Sequence, residues 1–161
     1  MVRTILVVLS AAAAAAAATP ALAAPPVAPL LGSWALDLMR SEIPPEARPR
    51  SVTITYADVG AGKWNTTVNI VGSNGHKIDA TATYMLDGTS APGTGYPNID
   101  MVAVKVPSPN VMVAAFYKEG MPRSTRTYIV SADGRTMSEN IVWLNLNGKP
   151  EIATNLFNRV R

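Results

Sequence analysis

The sequence predicts an all-β protein, an antiparallel up-and-down β-barrel of about eight or nine strands. Three observations predict it. From residue 32 onward, apolar and polar residues alternate with period two over short segments. Five glycine-bearing turn signals separate neighbouring segments: Gly60-Ala61-Gly62, Ser73-Asn74-Gly75, Lys118-Glu119-Gly120, Ala132-Asp133-Gly134 and Asn147-Gly148. No window beyond about ten residues carries a helical apolar stripe. A sheet with one apolar face and no helix to cover it must close on itself.

The first 23 residues read as an export signal. Arg3 precedes an apolar run through the eight alanines at 11–18, and Ala21-Leu22-Ala23 has the small-x-small pattern of a cleavage site. Cleavage near Ala23 places the protein in the periplasm or outside the cell. Residues 24–31 contain three prolines and read as an extended leader. Residues 32–161 form one barrel domain, with strands expected at 32–37, 51–59, 63–71, 76–86, 99–106, 110–118, 123–131, 136–146 and 151–160. Residues 36–41 have room for a single helical turn, ended by Pro44-Pro45. The longest expected loop after the leader is 88–98. The strand pair within 101–117 is apolar on both faces, which requires cover on both sides by the leader, a loop, a second protomer or a lipid.

Composition removes much chemistry. With no Cys and His76 as the one histidine, disulfides, thiolate nucleophiles, cysteine-ligated metals and multi-histidine centres within one chain are excluded. No metal and no cofactor is expected. The net charge of +3 includes Arg3 of the signal, and so small an excess speaks against nucleic acid as a partner. No stretch after the signal approaches the roughly 20 apolar residues of a membrane-spanning helix.

The alternation places Trp64, Thr66, Val68 and Ile70 on one face of the third strand, and Ile78, Ala80, Ala82 and Tyr84 on one face of the fourth. Ala80 and Ala82 are too small to fill a barrel centre, which points to a cavity. Trp64, Tyr84, Tyr128 and Trp143 are the aromatic residues expected to line it. Tyr96 lies in the loop expected over its mouth, and Arg126, on the face of Tyr128, is placed to meet an anionic head group. Glu139 shares a face with Met137, Ile141 and Trp143, which makes it the candidate acid or base. His76 and Asp79 stand three residues apart on a strand and face opposite ways, so they form no catalytic pair. Gly93-Thr94-Gly95-Tyr96-Pro97 has the glycine spacing of a phosphate cradle, but no helix follows and Pro97 lacks an N–H.

Leu31-Gly32-Ser33-Trp34 at the start, with Arg159 near the end of the last strand, resembles the ends of lipocalins and related calycin barrels. The resemblance implies that Trp34 packs inside the closed end of the barrel, with Arg159 across its ring as a structural cation–π pair. The chain is also similar to a group of small exported bacterial proteins of unknown role, through Leu86-Asp87-Gly88, Tyr96-Pro97, Ser131-Ala132-Asp133-Gly134-Arg135-Thr136 and Arg159-Val160. The disulfide cysteines of typical lipocalins and their helix before the last strand are absent.

The expected function is an exported lipocalin-like barrel that binds a small apolar or amphipathic molecule without catalysis. One alternative is a cofactor-free isomerase or cyclase that uses Glu139, Asp100 or the tyrosines in a barrel cavity. Another is an envelope interaction module, or a homodimer, that docks through the apolar strand pair 101–117.

Overall fold

The computed structural model describes residues 28–160. The expected export signal and residues 24–27 of the leader lie outside the described residues. Ten antiparallel strands close into one barrel, each paired with its neighbours in sequence and β1 sealed against β10. They are β1 (Gly32–Leu36), β2 (Ser51–Gly60), β3 (Lys63–Val71), β4 (Lys77–Met85), β5 (Asp87–Thr94), β6 (Met101–Ser108), β7 (Val111–Lys118), β8 (Met121–Val130), β9 (Thr136–Leu144) and β10 (Pro150–Arg159).

The additional strand is β5, where the sequence predicts a loop over 88–98. Its residues, Asp-Gly-Thr-Ser-Ala-Pro-Gly-Thr, have little strand propensity, and Pro92 withholds a donor from any ladder. The neighbours impose the conformation. Ser90, Ala91 and Pro92 lie opposite Ala103, Val102 and Met101 of β6, whereas β4 pairs with β5 at Thr81–Thr94 and Ala82–Gly93. Gly95 then turns the chain with φ +85°, and a Cβ there would stand 2.0 Å from the Asp79 carbonyl oxygen. The glycine that resembles part of a phosphate cradle is thus a close backbone crossing over β4.

The closed end is built from the two chain ends. The last leader residues are not extended: Leu31 N–H donates to Ala28 O at 3.0 Å, forming a turn that buries Leu30 completely. Trp34 Nε1 donates to Leu30 O at 2.9 Å. Arg159 spreads over the Trp34 ring at 4.1 Å from its centre, as the family resemblance implies. Its Nε donates to Gly134 O at 2.6 Å, its Nη1 to Leu31 O at 2.8 Å, and its Nη2 to Pro29 O. Gly32 has φ +109°, and a Cβ there would stand 3.0 Å from Arg159 Nη1. The Gly-x-Trp spacing therefore has a local cause: the glycine makes room for the arginine that covers the tryptophan.

At the opposite end, residues 37–50 connect β1 to β2. The turn expected at 36–41 is a single hydrogen-bonded one, in which Arg40 N–H donates to Asp37 O at 3.2 Å and the Asp37 carboxylate takes the N–H groups of Met39 and Arg40 at 3.1 and 3.2 Å. A 3-10 turn forms later, at Pro45–Ala47, and proline opens it rather than ending it. Thr154 N–H donates to Glu42 Oε2 at 2.8 Å, which ties the connection to β10.

Along β6 and β7, Val102, Val104, Met112 and Ala114 fill the interior, while Met101, Ala103, Val111, Val113 and Ala115 face outward and are half-buried. Both faces of the pair are apolar, as expected, and Met112 and Phe116 belong to the inside of the barrel. Exposed large apolar side chains occur on the β9–β10 hairpin instead, at Leu144, Leu146 and Ile152.

Candidate functional site

A cavity of about 540 Å³ occupies the barrel between the core of the closed end and the 37–50 connection. Small residues create it: Ala80 and Ala82 of β4, Gly93 of β5 and Ala114 of β7 all line its wall. Ile43, Ala47 and Pro49 of the connection, with Gly72-Ser73-Asn74 of the β3–β4 turn and Tyr96 and Ile99 before β6, line its outer end. Most of the remaining wall is aliphatic, including Val52, Val68, Ile78 and Ile141. Its size is that of a small-molecule pocket.

One charged cluster interrupts this wall, and strand register assembles it. Arg126 and Tyr128 stand two apart on β8 and so share the inward face. Tyr128 lies opposite Glu139 on β9, and Glu139 lies opposite Asn155 on β10. Three cross-strand neighbours thus form a row. Glu139 Oε1 accepts from Tyr128 OH at 2.8 Å and from Arg126 Nη1 at 3.1 Å, and Oε2 accepts from Asn155 Nδ2 at 2.9 Å. Glu139 is 2% exposed and its carboxylate is fully engaged. Buried charge of this kind persists when it is paired and hydrogen-bonded. The Arg126 guanidinium also lies over the Phe116 ring, 4.7 Å from its centre. Tyr56 packs edge-on against Tyr128 with ring centres 6.0 Å apart.

The electrostatics follow from burial. Tyr56 is held well above the ordinary phenol value, first by burial and then by Tyr128, Tyr84 and Glu139 around it. Burial raises Tyr84 to about 12, against the hydrogen bond between its hydroxyl and Thr66 Oγ1. Tyr128 rises strongly through burial and the adjacent Glu139 charge. Burial opposes the charge of Arg126, but its acidic neighbours Tyr128 and Glu139 outweigh that and raise it further. At neutral pH the phenols of the cluster are therefore neutral and Arg126 carries its charge.

The structure places Tyr84, Tyr96, Arg126 and Tyr128 on the cavity wall, together with Glu139. Trp64 is buried outside the wall, in the core. Trp143 is half-buried beside a shallow depression that it shares with Arg123, Ser124 and Arg126. The expectation that both tryptophans line the cavity is corrected: Trp64 packs into the core although its cross-strand neighbour Tyr84 lines the wall, and Trp143 borders the separate depression. Sequence reasoning missed Asn155, Tyr56 and Phe116. Asn155 carries a signal in hindsight, since it stands two residues before the inward Phe157. Asp100 lies outside the wall, where its Oδ2 accepts from Glu119 N–H at 2.9 Å. His76 is exposed next to its turn. Among the described residues, no group of three or more His, Asp or Glu side chains is placed to hold a metal ion. No helix among them is long and apolar enough to cross a membrane.

No protein-family model matches the chain, and no curated protein matches it significantly. Solved structures do. A variant of the fluorescent protein UnaG superposes with a TM-score of 0.57 at 10% identity, over 83% of this chain and 97% of that one. Zebrafish ileal bile acid-binding protein, in complex with cholic acid, superposes with a TM-score of 0.50 at 12% identity, over 82% and 99% of the respective chains. Identities this low speak to fold. In architecture the chain is a calycin-like, ten-stranded antiparallel β-barrel.

Proposed function

We propose that this protein is an exported carrier or sensor barrel that binds a small apolar or amphipathic molecule in its cavity without transforming it. The observation that carries the reading is the interior space of about 540 Å³, walled mostly by aliphatic and aromatic side chains around one charged cluster. A filled barrel would be more stable, because empty apolar volume forfeits packing. Retaining such a space fits a bound occupant. The similar zebrafish protein was solved with cholic acid, an amphipathic molecule, and this supports the same class of function. Export rests on the signal-like residues 1–23.

One observation favours an isomerase or cyclase instead: Glu139, a carboxylate, lines the cavity. Its hydrogen bonds weigh against that role. Both oxygens already accept from Tyr128, Arg126 and Asn155, so proton transfer would first have to break a buried ion pair.

Native mass spectrometry of the protein purified from cells that export it tests the carrier reading. The expected spectrum shows the polypeptide with an added small mass that leaves on collisional activation. A clean apo mass, with no uptake of uncharged apolar fluorophores such as N-phenyl-1-naphthylamine, would overturn the reading.

A further inference from the structure

We infer that the cavity selects an uncharged amphiphile, one whose polar end is a hydroxyl or amide rather than a carboxylate or phosphate. The inference deepens the binding function proposed above and rests on it. Among the described residues, two charged side chains line the cavity, Arg126 and Glu139, and they are paired with each other at 3.1 Å. The wall therefore presents no net charge. A ligand carboxylate entering it would give up its hydration to join a pair that is already neutral. That cost is met only if a free cation waits inside.

Nor is Glu139 readily displaced. Releasing Arg126 to a ligand would leave a carboxylate that is 2% exposed without its counter-charge, which is the most costly way to break a buried pair. Tyr128 and Asn155 hold it in place from two further directions. The Asn155 amide is oriented by this contact, because its NH₂ must face the Glu139 oxygen.

An uncharged polar group meets neither obstacle. The Arg126 side chain is 24% exposed, and its hydrogen bonds to Ser124 and Glu139 run through Nε and Nη1. Nη2 is left to donate to a hydroxyl or amide oxygen. Such a bond to a charged donor is stronger than one between neutral groups and adds no net charge. Across the barrel, the Thr66–Tyr84 hydroxyl pair offers a second uncharged contact. The remainder of the ligand would lie against Val68, Ile78 and Ala82.

The test is displacement of N-phenyl-1-naphthylamine from the purified protein at pH 8 by three compounds of equal chain length: lauryl alcohol, lauramide and laurate. The alcohol and the amide are expected to displace the probe at concentrations at least tenfold below laurate. Greater water solubility of laurate contributes to such a gap, so the deciding measurement is Glu139→Gln. Removing the internal anion frees Arg126, and the laurate-to-alcohol ratio should shift at least tenfold toward laurate. Laurate displacing as well as the alcohol from the unmodified protein, or an unchanged ratio in Glu139→Gln, would overturn the inference while leaving ligand binding intact. Absence of probe uptake by the unmodified protein would overturn the binding function itself. Should Glu139→Gln not fold by circular dichroism, Arg126→Gln supplies the complement. It leaves an unpaired anion, so dodecylamine should gain at least tenfold over lauryl alcohol, and no gain would sink the inference.

Discussion

The Arg159 guanidinium lies 4.1 Å from the centre of the Trp34 ring, and the two residues stand directly opposite each other across the β1–β10 seam that closes the barrel. The contact does more than join two strands. Through carbonyls of Pro29, Leu31 and Gly134, one side chain binds the leader turn that enters the first strand to the β8–β9 turn. Arg159→Ala should cost about 3 kcal/mol, from the lost cation–π contact and carbonyls left without donors. Arg159→Lys should recover under half of that, because an ammonium lying over the ring cannot reach three diverging carbonyl acceptors at once. Urea midpoints at equal m-value measure both, and a lysine variant as stable as the parent would contradict the geometric account.

Gly32 should be nearly as intolerant as Arg159. A Cβ at φ +109° is strained and would stand 3.0 Å from Arg159 Nη1, so Gly32→Ala disturbs both partners of the seal. The steric part of its cost should be absorbed in an Arg159→Ala background, where the crowding atom is gone, while the backbone strain remains. Additivity in that double-mutant cycle would show that the glycine acts through its backbone alone.

This end of the barrel was legible through the resemblance to calycin barrels, which implied the Trp34–Arg159 pair, and the geometry supplies the physical reason: Gly32 leaves room for the arginine that covers the tryptophan. The inward faces of β3 and β4 were equally legible, because period-two alternation states burial directly. β5 was not, since its strand geometry comes from β6 and from the Gly95 crossing rather than from Pro92 or Gly93. The polar cluster was half legible. Arg126 and Tyr128 share a strand, so their spacing shows that they share a face. Their union with Glu139 and Asn155 depends on the register of β8, β9 and β10, which no single strand encodes.

Gly95 offers a clean steric experiment. A methyl group there would collide with the Asp79 carbonyl oxygen, whereas one at Gly88, with φ +95°, meets nothing within 4 Å. Both substitutions incur the backbone penalty of positive φ, on the order of 1 kcal/mol. Gly95→Ala should lose more than Gly88→Ala and should speed hydrogen exchange of the β4 and β5 amides. Equal losses would mean that β5 yields at the crossing.

The buried phenols set an alkaline limit. The unfolded chain ionises tyrosine near the ordinary value of 10.0, but native Tyr84 ionises only at about 12, and Tyr56 and Tyr128 are also raised. A raised native value means that the unfolded state loses protons first. The stability these groups contribute is therefore complete below pH 10 and declines as pH climbs toward 12. Urea midpoints should fall between pH 9.5 and about 11.5, and the fall should be shallower in Tyr84→Phe, which has no proton to lose. An identical slope in the two proteins would remove Tyr84 from the account.

Filling the cavity separates its two properties, since volume serves a ligand and its absence serves the fold. Ala80 and Ala114 are buried, line the cavity from β4 and β7, and carry the smallest side chains available. Leucine at either position would extend into empty space rather than into packed neighbours. Such a change should leave stability unchanged or raise it by about 1 kcal/mol, in contrast to the 1–3 kcal/mol loss typical of overpacked cores. Uptake of N-phenyl-1-naphthylamine should fall at least fivefold in Ala80→Leu/Ala114→Leu, with circular dichroism unchanged. A double variant that loses stability while keeping its uptake would place the ligand elsewhere and show that β4 and β7 approach more closely than the cavity requires.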